Sequence, residues 1–283
     1  GLRTLVMSLD PAHSLSDAFD LERSLYDLAS GEPHQVADNL WIQEISIQEE
    51  LTENWGEVHA YISSLLNVSG LDQIVAEEVA IFPGMEEISS LLHINRYIRE
   101  DRFDVMILDC APTGESIRFV SMPTTLEWYM NKIFKLERGL FKATRPLLKG
   151  VSPIPLPEDR YFANIESLFQ KLEGIGKVLS DPSITSVRLV TNPERMVIKE
   201  TQRAFMYFAL YGLCVDLVIV NRVLPEEADL AYFQEWRDKQ RGYIEEIRDL
   251  FTPVPVAEVR AFEAEVLGEK GLRRLADGLY DNR

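Results

Sequence analysis

The chain has 283 residues, 46% of them hydrophobic and 10% aromatic, enough for one elaborate α/β domain or two modest ones. Its 29 basic and 46 acidic side chains leave a formal charge of −17, which argues against non-specific nucleic-acid binding and adhesion to anionic membranes unless a local patch reverses the sign. Two cysteines, Cys110 and Cys214, cannot build a disulfide framework, no leader is visible, and no apolar run reaches the roughly 18 to 20 residues that span a bilayer, so a soluble cytoplasmic protein is expected.

In chain order, LRTLVMSL (2 to 9) reads as a strand that runs straight into Asp10-Pro11-Ala12-His13-Ser14. LWIQEI (40 to 45), DVMILDC (104 to 110), SVRLVTN (186 to 192), VDLVIVNRV (215 to 223) and TPVPVAEV (252 to 259) are further strand candidates. Several are continuously apolar, as strands buried on both faces of a parallel sheet are, and helical patterns lie between them. The expected fold is therefore α/β, a doubly wound and mostly parallel sheet whose ligands bind beyond the carboxyl ends of its strands. Residues 47 to 82 and 117 to 180 read as an inserted helical subdomain, leaving 1–46, 83–116 and 181–283 to a nucleotide-binding domain.

Two strand ends carry carboxylates. Asp10 follows the first strand, and in VMILDCAPTGESIR Asp109 closes another before Thr113 and Gly114 open a helix whose backbone N–H groups can face an anion. Either aspartate alone is explained by a helix cap. As a pair they suit phosphoryl transfer, one orienting water and the other holding magnesium through its water shell.

LVMSLDPAHSLSDAF and DVMILDCAPTGESIR resemble switch I and switch II of the arsenical-pump and tail-anchored-protein-targeting ATPases, a branch of the nitrogenase-iron-protein-like P-loop NTPases. PGMEE (83 to 87), VNRVLP (220 to 225) and FEAEVLGEKGLRRLA (262 to 276) come in the family's order. The resemblance implies ATP and Mg²⁺ as ligands, Asp10 as the water-orienting carboxylate and Asp109 as the carboxylate near magnesium. It puts Gly114 at the γ-phosphate, Asn221 on the adenine edge, and the loop Arg260-Ala261-Phe262 against the adenine ring. It further implies a homodimer. Asn192 to Glu194 either line the nucleotide site or the dimer interface or cap the next helix, and His13 either contacts phosphate or the partner subunit or packs the switch loop. His34, His59 and His93 have no ligand spacing.

No G-x-x-x-x-G-K-[ST] occurs in the chain, so the family's phosphate loop and first strand are expected upstream of Gly1; taken alone, the 283 residues are expected to hydrolyse ATP poorly or not at all. Two cysteines disfavour an arsenite-triggered motor, and no Cys-x-x-Cys pair is present, so no zinc is expected. Cys214 reads as a small buried apolar residue.

Between Ile117 and Lys149 seven basic residues face two acidic ones, against the overall charge. The same segment holds Met122, Trp128, Met130, Ile133, Phe134, Leu140 and Phe141. Each fits simple packing; together, with the resemblance, they imply a groove for a hydrophobic, tail-anchored membrane-protein client. The competing reading is a non-hydrolysing holdase or scaffold of the same fold.

Overall fold

Leu5 and Met7 are fully buried along β1 (Thr4–Ser8), which pairs in parallel with β3 (Leu40–Glu44) on one side and β4 (Val105–Asp109) on the other. The short β2 (His34–Ala37) turns back antiparallel on β3, completing a four-stranded sheet of order β2-β3-β1-β4. A second sheet has order β5-β6-β7, all parallel, with β5 at Val187–Thr191, β6 at Val215–Val223 and β7 at Val256–Arg260. These elements come from a computed structural model that describes residues 1–10, 14–21, 25, 31–45, 55–68, 84–110, 113–148, 157–226 and 231–280. The α/β expectation holds, with β2 as an antiparallel addition that its short sequence did not announce.

The helices are α1 (Leu15–Ala18), α2 (Gly56–Val68), α3 (Met85–Arg99), α4 (Thr113–Tyr129), α5 (Lys135–Leu148), α6 (Asp159–Leu172), α7 (Ile175–Ser180), α8 (Arg195–Leu210), α9 (Ala231–Phe251) and α10 (Gly268–Tyr280). A π-helical turn, Met130–Phe134, joins α4 to α5. By contact the chain forms two units: residues 1–13, 25–111 and 121–176 in the first, and 14–24, 112–120 and 177–283 in the second. These units group residues by contact, whereas the division expected from sequence goes by element type.

In the first unit α3 is buried around much of its girth, including its polar residues Ser89, Ser90, His93 and Asn95. Burial of polar atoms requires partners. Asn95 donates to the Lys171 carbonyl at 2.6 Å, and Trp55 donates to Ser89 Oγ at 3.2 Å. Gly84 precedes α3 at φ 101°, a backbone state that disfavours any side chain, and an added Cβ would come within 3.1 Å of Met122. Arg3 clamps Asp104 at the other end of the first sheet, its guanidinium at 2.7 Å and its backbone N–H at 2.7 Å.

The second unit's core stacks Ile198 and Phe208 of α8 and Ile244, Ile247 and Phe251 of α9 on Val218 and Val220 of β6. All five helix residues are at least nine-tenths buried, each contributing on the order of 1.5–3 kcal/mol of apolar transfer.

Candidate functional site

The two carboxylates meet at one end of the first sheet. Ser8 is the register partner of Asp109, and Leu9 N–H donates to the Asp109 carbonyl at 2.8 Å, so Asp10 emerges one residue beyond the last bond of the β1–β4 ladder. Ser8 Oγ bridges the turn, accepting from Asp10 N–H and donating to the Asp10 carbonyl, both at 3.3 Å. Parallel pairing therefore brings to one edge of the sheet two residues separated by ninety-nine positions in the chain.

Asp109 is a solvent-accessible residue with a partly enclosed carboxyl. That burial, followed by the negative charge of Asp10, pushes its pKa up from the ordinary carboxylate value. The second cause is itself a sign of proximity, since like charges disfavour each other's ionisation only when close. Glu44, the buried last residue of β3, stands in register with Ser8 and adds a third acid to this row of strand ends. Sequence reasoning missed both Ser8 and Glu44; strand alignment was the only signal that could have found them.

The remaining predicted nucleotide residues lie in the second unit. Gly114 sits in the first turn of α4, and among the described residues a Cβ there would meet nothing within 4 Å. Thr113 is the first residue of the same helix. Asn221 lies near the carboxyl end of β6, where its Oδ1 accepts from Arg222 N–H at 2.9 Å. Arg222 has φ 56°, an unusual state for an arginine, and the β6–β7 register shifts between Val220 and Val223. The Asn221 side chain thus stabilises a strained bulge and keeps its amide N–H₂ available for another role.

Arg260 ends β7 opposite Val223, and Ala261 N–H donates to the Val223 carbonyl at 2.8 Å. Phe262 has the Arg274 guanidinium over its ring at 5.0 Å. Pro11 to His13, Ala111 and Pro112 lie outside the described residues, as does Pro83 of PGMEE. Glu194 occupies the N-cap of α8 without a side-chain cap bond, so the capping alternative is made by backbone alone. Cys214 is exposed, not buried as its sequence context suggested: it lies in the turn before β6, where its carbonyl accepts from Val187 N–H at 2.7 Å.

The apolar residues of the insert divide by exposure. Phe134 is only 3% exposed and packs with Tyr129 and Phe162 at ring separations of 6.4 and 5.9 Å. Met122, Met130, Ile133 and Phe141 are half-buried. Trp128, Leu136 and Leu140 stand out at 58, 72 and 60% exposure. Leu136 was not singled out from sequence, although Leu136 and Leu140 are spaced to share one helix face. Tyr129 OH donates to Glu137 across the π turn at 2.8 Å, and partial burial together with this bond raises the Tyr129 pKa.

Among the described residues no group of acidic, histidine and cysteine side chains is preassembled as a metal cage, and no helix is long and apolar enough to cross a membrane.

The family model described as Anion-transporting ATPase matches residues 1–281. A protein of Aquifex aeolicus (strain VF5), provisionally named arsenical pump-driving ATPase 1, is 50% identical over 284 residues, covering 99% of this chain and 72% of the relative. A similarly named protein of Chlorobaculum tepidum is 37% identical over 286 residues, covering 99% of this chain and 68% of the relative. ATPase get3 of Aspergillus niger is 27% identical over 293 residues, covering 98% of this chain and 81% of the relative.

Proposed function

Because the chain belongs to the anion-transporting ATPase family, we propose that it uses ATP hydrolysis to control capture and release of an apolar membrane-protein segment. The observation that carries the client half is the exposure of Trp128, Leu136 and Leu140 in a segment rich in lysine and arginine. Apolar side chains held out in water cost free energy that a docked apolar helix recovers, and basic neighbours suit the flanks of such a helix.

For the reaction, Asp10 accepts a hydrogen bond from the attacking water and aligns it with the terminal phosphorus. Ser8 fixes the backbone that carries Asp10, so the carboxylate is aimed before substrate arrives. Asp109 and Asp10 offer hard carboxylate oxygens; burial first and the charge of Asp10 second raise the Asp109 pKa, and a divalent cation would offset the second of these. The residues present therefore fit Mg²⁺, with Asp109 holding it through water. When bound, the ion supplies charge neutralisation on the phosphate oxygens.

Backbone N–H groups at Thr113 and Gly114 receive phosphate oxygens at the helix start. Asn221 reads the adenine edge with its amide, while Arg260, Ala261 and Phe262 flank the ring. Nucleotide sandwiched between two copies of the chain would close a homodimer in the cytoplasm, and phosphate release would relax it.

The experiment uses the full-length gene product and a labelled apolar helix peptide. Trp128→Asp/Leu136→Asp/Leu140→Asp should keep ATP turnover and weaken peptide capture at least tenfold; unchanged capture by the folded variant would refute the client reading. A second reading, the driving subunit of an arsenical pump, is favoured by the names of the relatives at 50 and 37% identity. It predicts arsenite-stimulated turnover, for which Cys110 and Cys214 offer the chain's only thiols.

A further inference from the structure

Helix α4 runs through the π turn Met130–Phe134 into α5 with no break, so the number of residues in that turn decides which side chains come round to which face. A π turn closes i→i+5 bonds in place of i→i+4 and takes up one extra residue. In an unbroken α-helix Trp128 and Leu136 would point about 80° apart, and Trp128 and Leu140 about 120° apart. With one residue absorbed, both leucines come within about 20° of Trp128, and the three exposed side chains form a single stripe across the turn.

The same absorbed residue assembles the packed face. Tyr129, Phe134, Glu137 and Phe141 then fall within about 60° of one another. There Tyr129 stacks on Phe169 at 6.4 Å, and Phe134 and Phe141 both meet Phe162, at 5.9 and 6.0 Å. Arg138 pairs with Glu166 at 2.8 Å. Phe162, Glu166 and Phe169 make one stripe of α6, at i, i+4 and i+7, so residues on both sides of the turn are held against one helix face. Across the turn, Tyr129 OH donates to Glu137 at 2.8 Å. These two residues would diverge by about 80° in an unbroken helix, so their bond and the π turn depend on each other.

We propose that the π turn sets the register of the exposed apolar stripe, with Tyr129 and Glu137 as its positioning residues. Their hydrogen bond keeps the extra residue in the turn, and so keeps Trp128 in line with Leu136 and Leu140 for an apolar helix lying along α4 and α5. This rests on the client reading above. Without the bond the extra residue can pass into either flank as ordinary α-helix, which turns one flank by about 100° against the other and splits the stripe.

The test combines capture of a labelled apolar helix peptide by the full-length protein with amide hydrogen exchange across the π turn. Tyr129→Phe keeps the ring on Phe169 and removes only the donor; it should weaken capture roughly fivefold and speed exchange in the turn. Glu137→Leu should match it, while Glu137→Gln, which still accepts the bond, should behave as the parent. Deleting Asn131, an exposed residue of the turn, leaves an unbroken α-helix with the same faces in line, so capture should persist and Tyr129→Phe should cost nothing further. An equal loss from Tyr129→Phe in both backgrounds would assign the bond to stability alone and overturn the proposal. If the deletion variant does not fold, the Glu137 pair decides, equal capture by the Gln and Leu variants being the contrary result. No capture by the folded parent would overturn the client reading and the role of the stripe with it, whereas parent-like exchange in Tyr129→Phe would overturn the positioning role by itself.

Discussion

The two sheets present opposite chemistry at their carboxyl edges. In the first unit the carboxyl ends of β1, β3 and β4 carry or lead to Asp10, Glu44 and Asp109; in the second, the ends of β6 and β7 carry Asn221, Arg222 and Arg260. Parallel pairing alone decides that these residues gather, since it aligns the paired strand ends to one edge of each sheet. What each edge does is decided by residue type. Under the proposed function, the acids at one edge would place water and a cation, and the amide at the other would read a base edge.

The difference is also energetic. Asp109 is held in a place that disfavours its charge, which costs the folded state some stability. The second unit's ion pairs Arg188–Asp216, Arg241–Asp238 and Arg248–Glu258 lie mostly in solvent and cost little.

The contrast can be broken first at Asp10. In the full-length protein Asp10→Asn should lower turnover by roughly 10²-fold or more while the KM for ATP changes little, because a water-orienting carboxylate acts mainly in the transition state. Steady-state kinetics would check this. At the second edge, Asn221→Ala should weaken ATP binding about tenfold, a loss near 1.4 kcal/mol, with kcat largely kept. Equilibrium binding of a fluorescent ATP analogue would measure it.

Smaller effects sharpen the energetic half. Asp109→Asn should stabilise the nucleotide-free protein at pH 7 by no more than about 1 kcal/mol after screening. Since the folded pKa of Asp109 is raised, its penalty is absent below the unfolded carboxylate pKa and grows as pH rises through the folded value. The gain should therefore vanish in acid, as thermal melts between pH 3 and 7, about the range that spans the unfolded carboxylate pKa, would show. Glu32→Gln runs the other way. Partial burial alone would raise the Glu32 pKa, yet hydrogen bonds and charge from Arg96 and Arg102 hold it below the ordinary value. Its contribution, under about 1 kcal/mol, is present above the unfolded pKa and lost as pH falls through the folded one. Melts of this variant should converge on the parent in acid.

Much of the site was legible because its strands are written as continuous apolar runs. LRTLVMSL, DVMILDC and VDLVIVNRV fall on β1, β4 and β6, and a carboxylate after such a run has few places to go. The Ser8 clamp and Glu44 were not legible, since each depends on a neighbouring strand brought close by pairing. The insert misled for another reason. Residues 117 to 180 read simply as helical, and nothing in that reading located the π turn Met130–Phe134, which adds a residue to one turn between α4 and α5. Phe134 packs in the aromatic cluster while Leu136, two positions on and so on the opposite side of the helix, faces out.

The joint action of Asp10 and Asp109 on one bound triphosphate is tested most directly by a double-mutant cycle on ATP turnover in the full-length protein. If the two carboxylates serve one transition state, Asp10→Asn/Asp109→Asn should be about as slow as the slower single variant, because the first loss already removes what the second supports. Rate losses that multiply across the cycle would contradict the account.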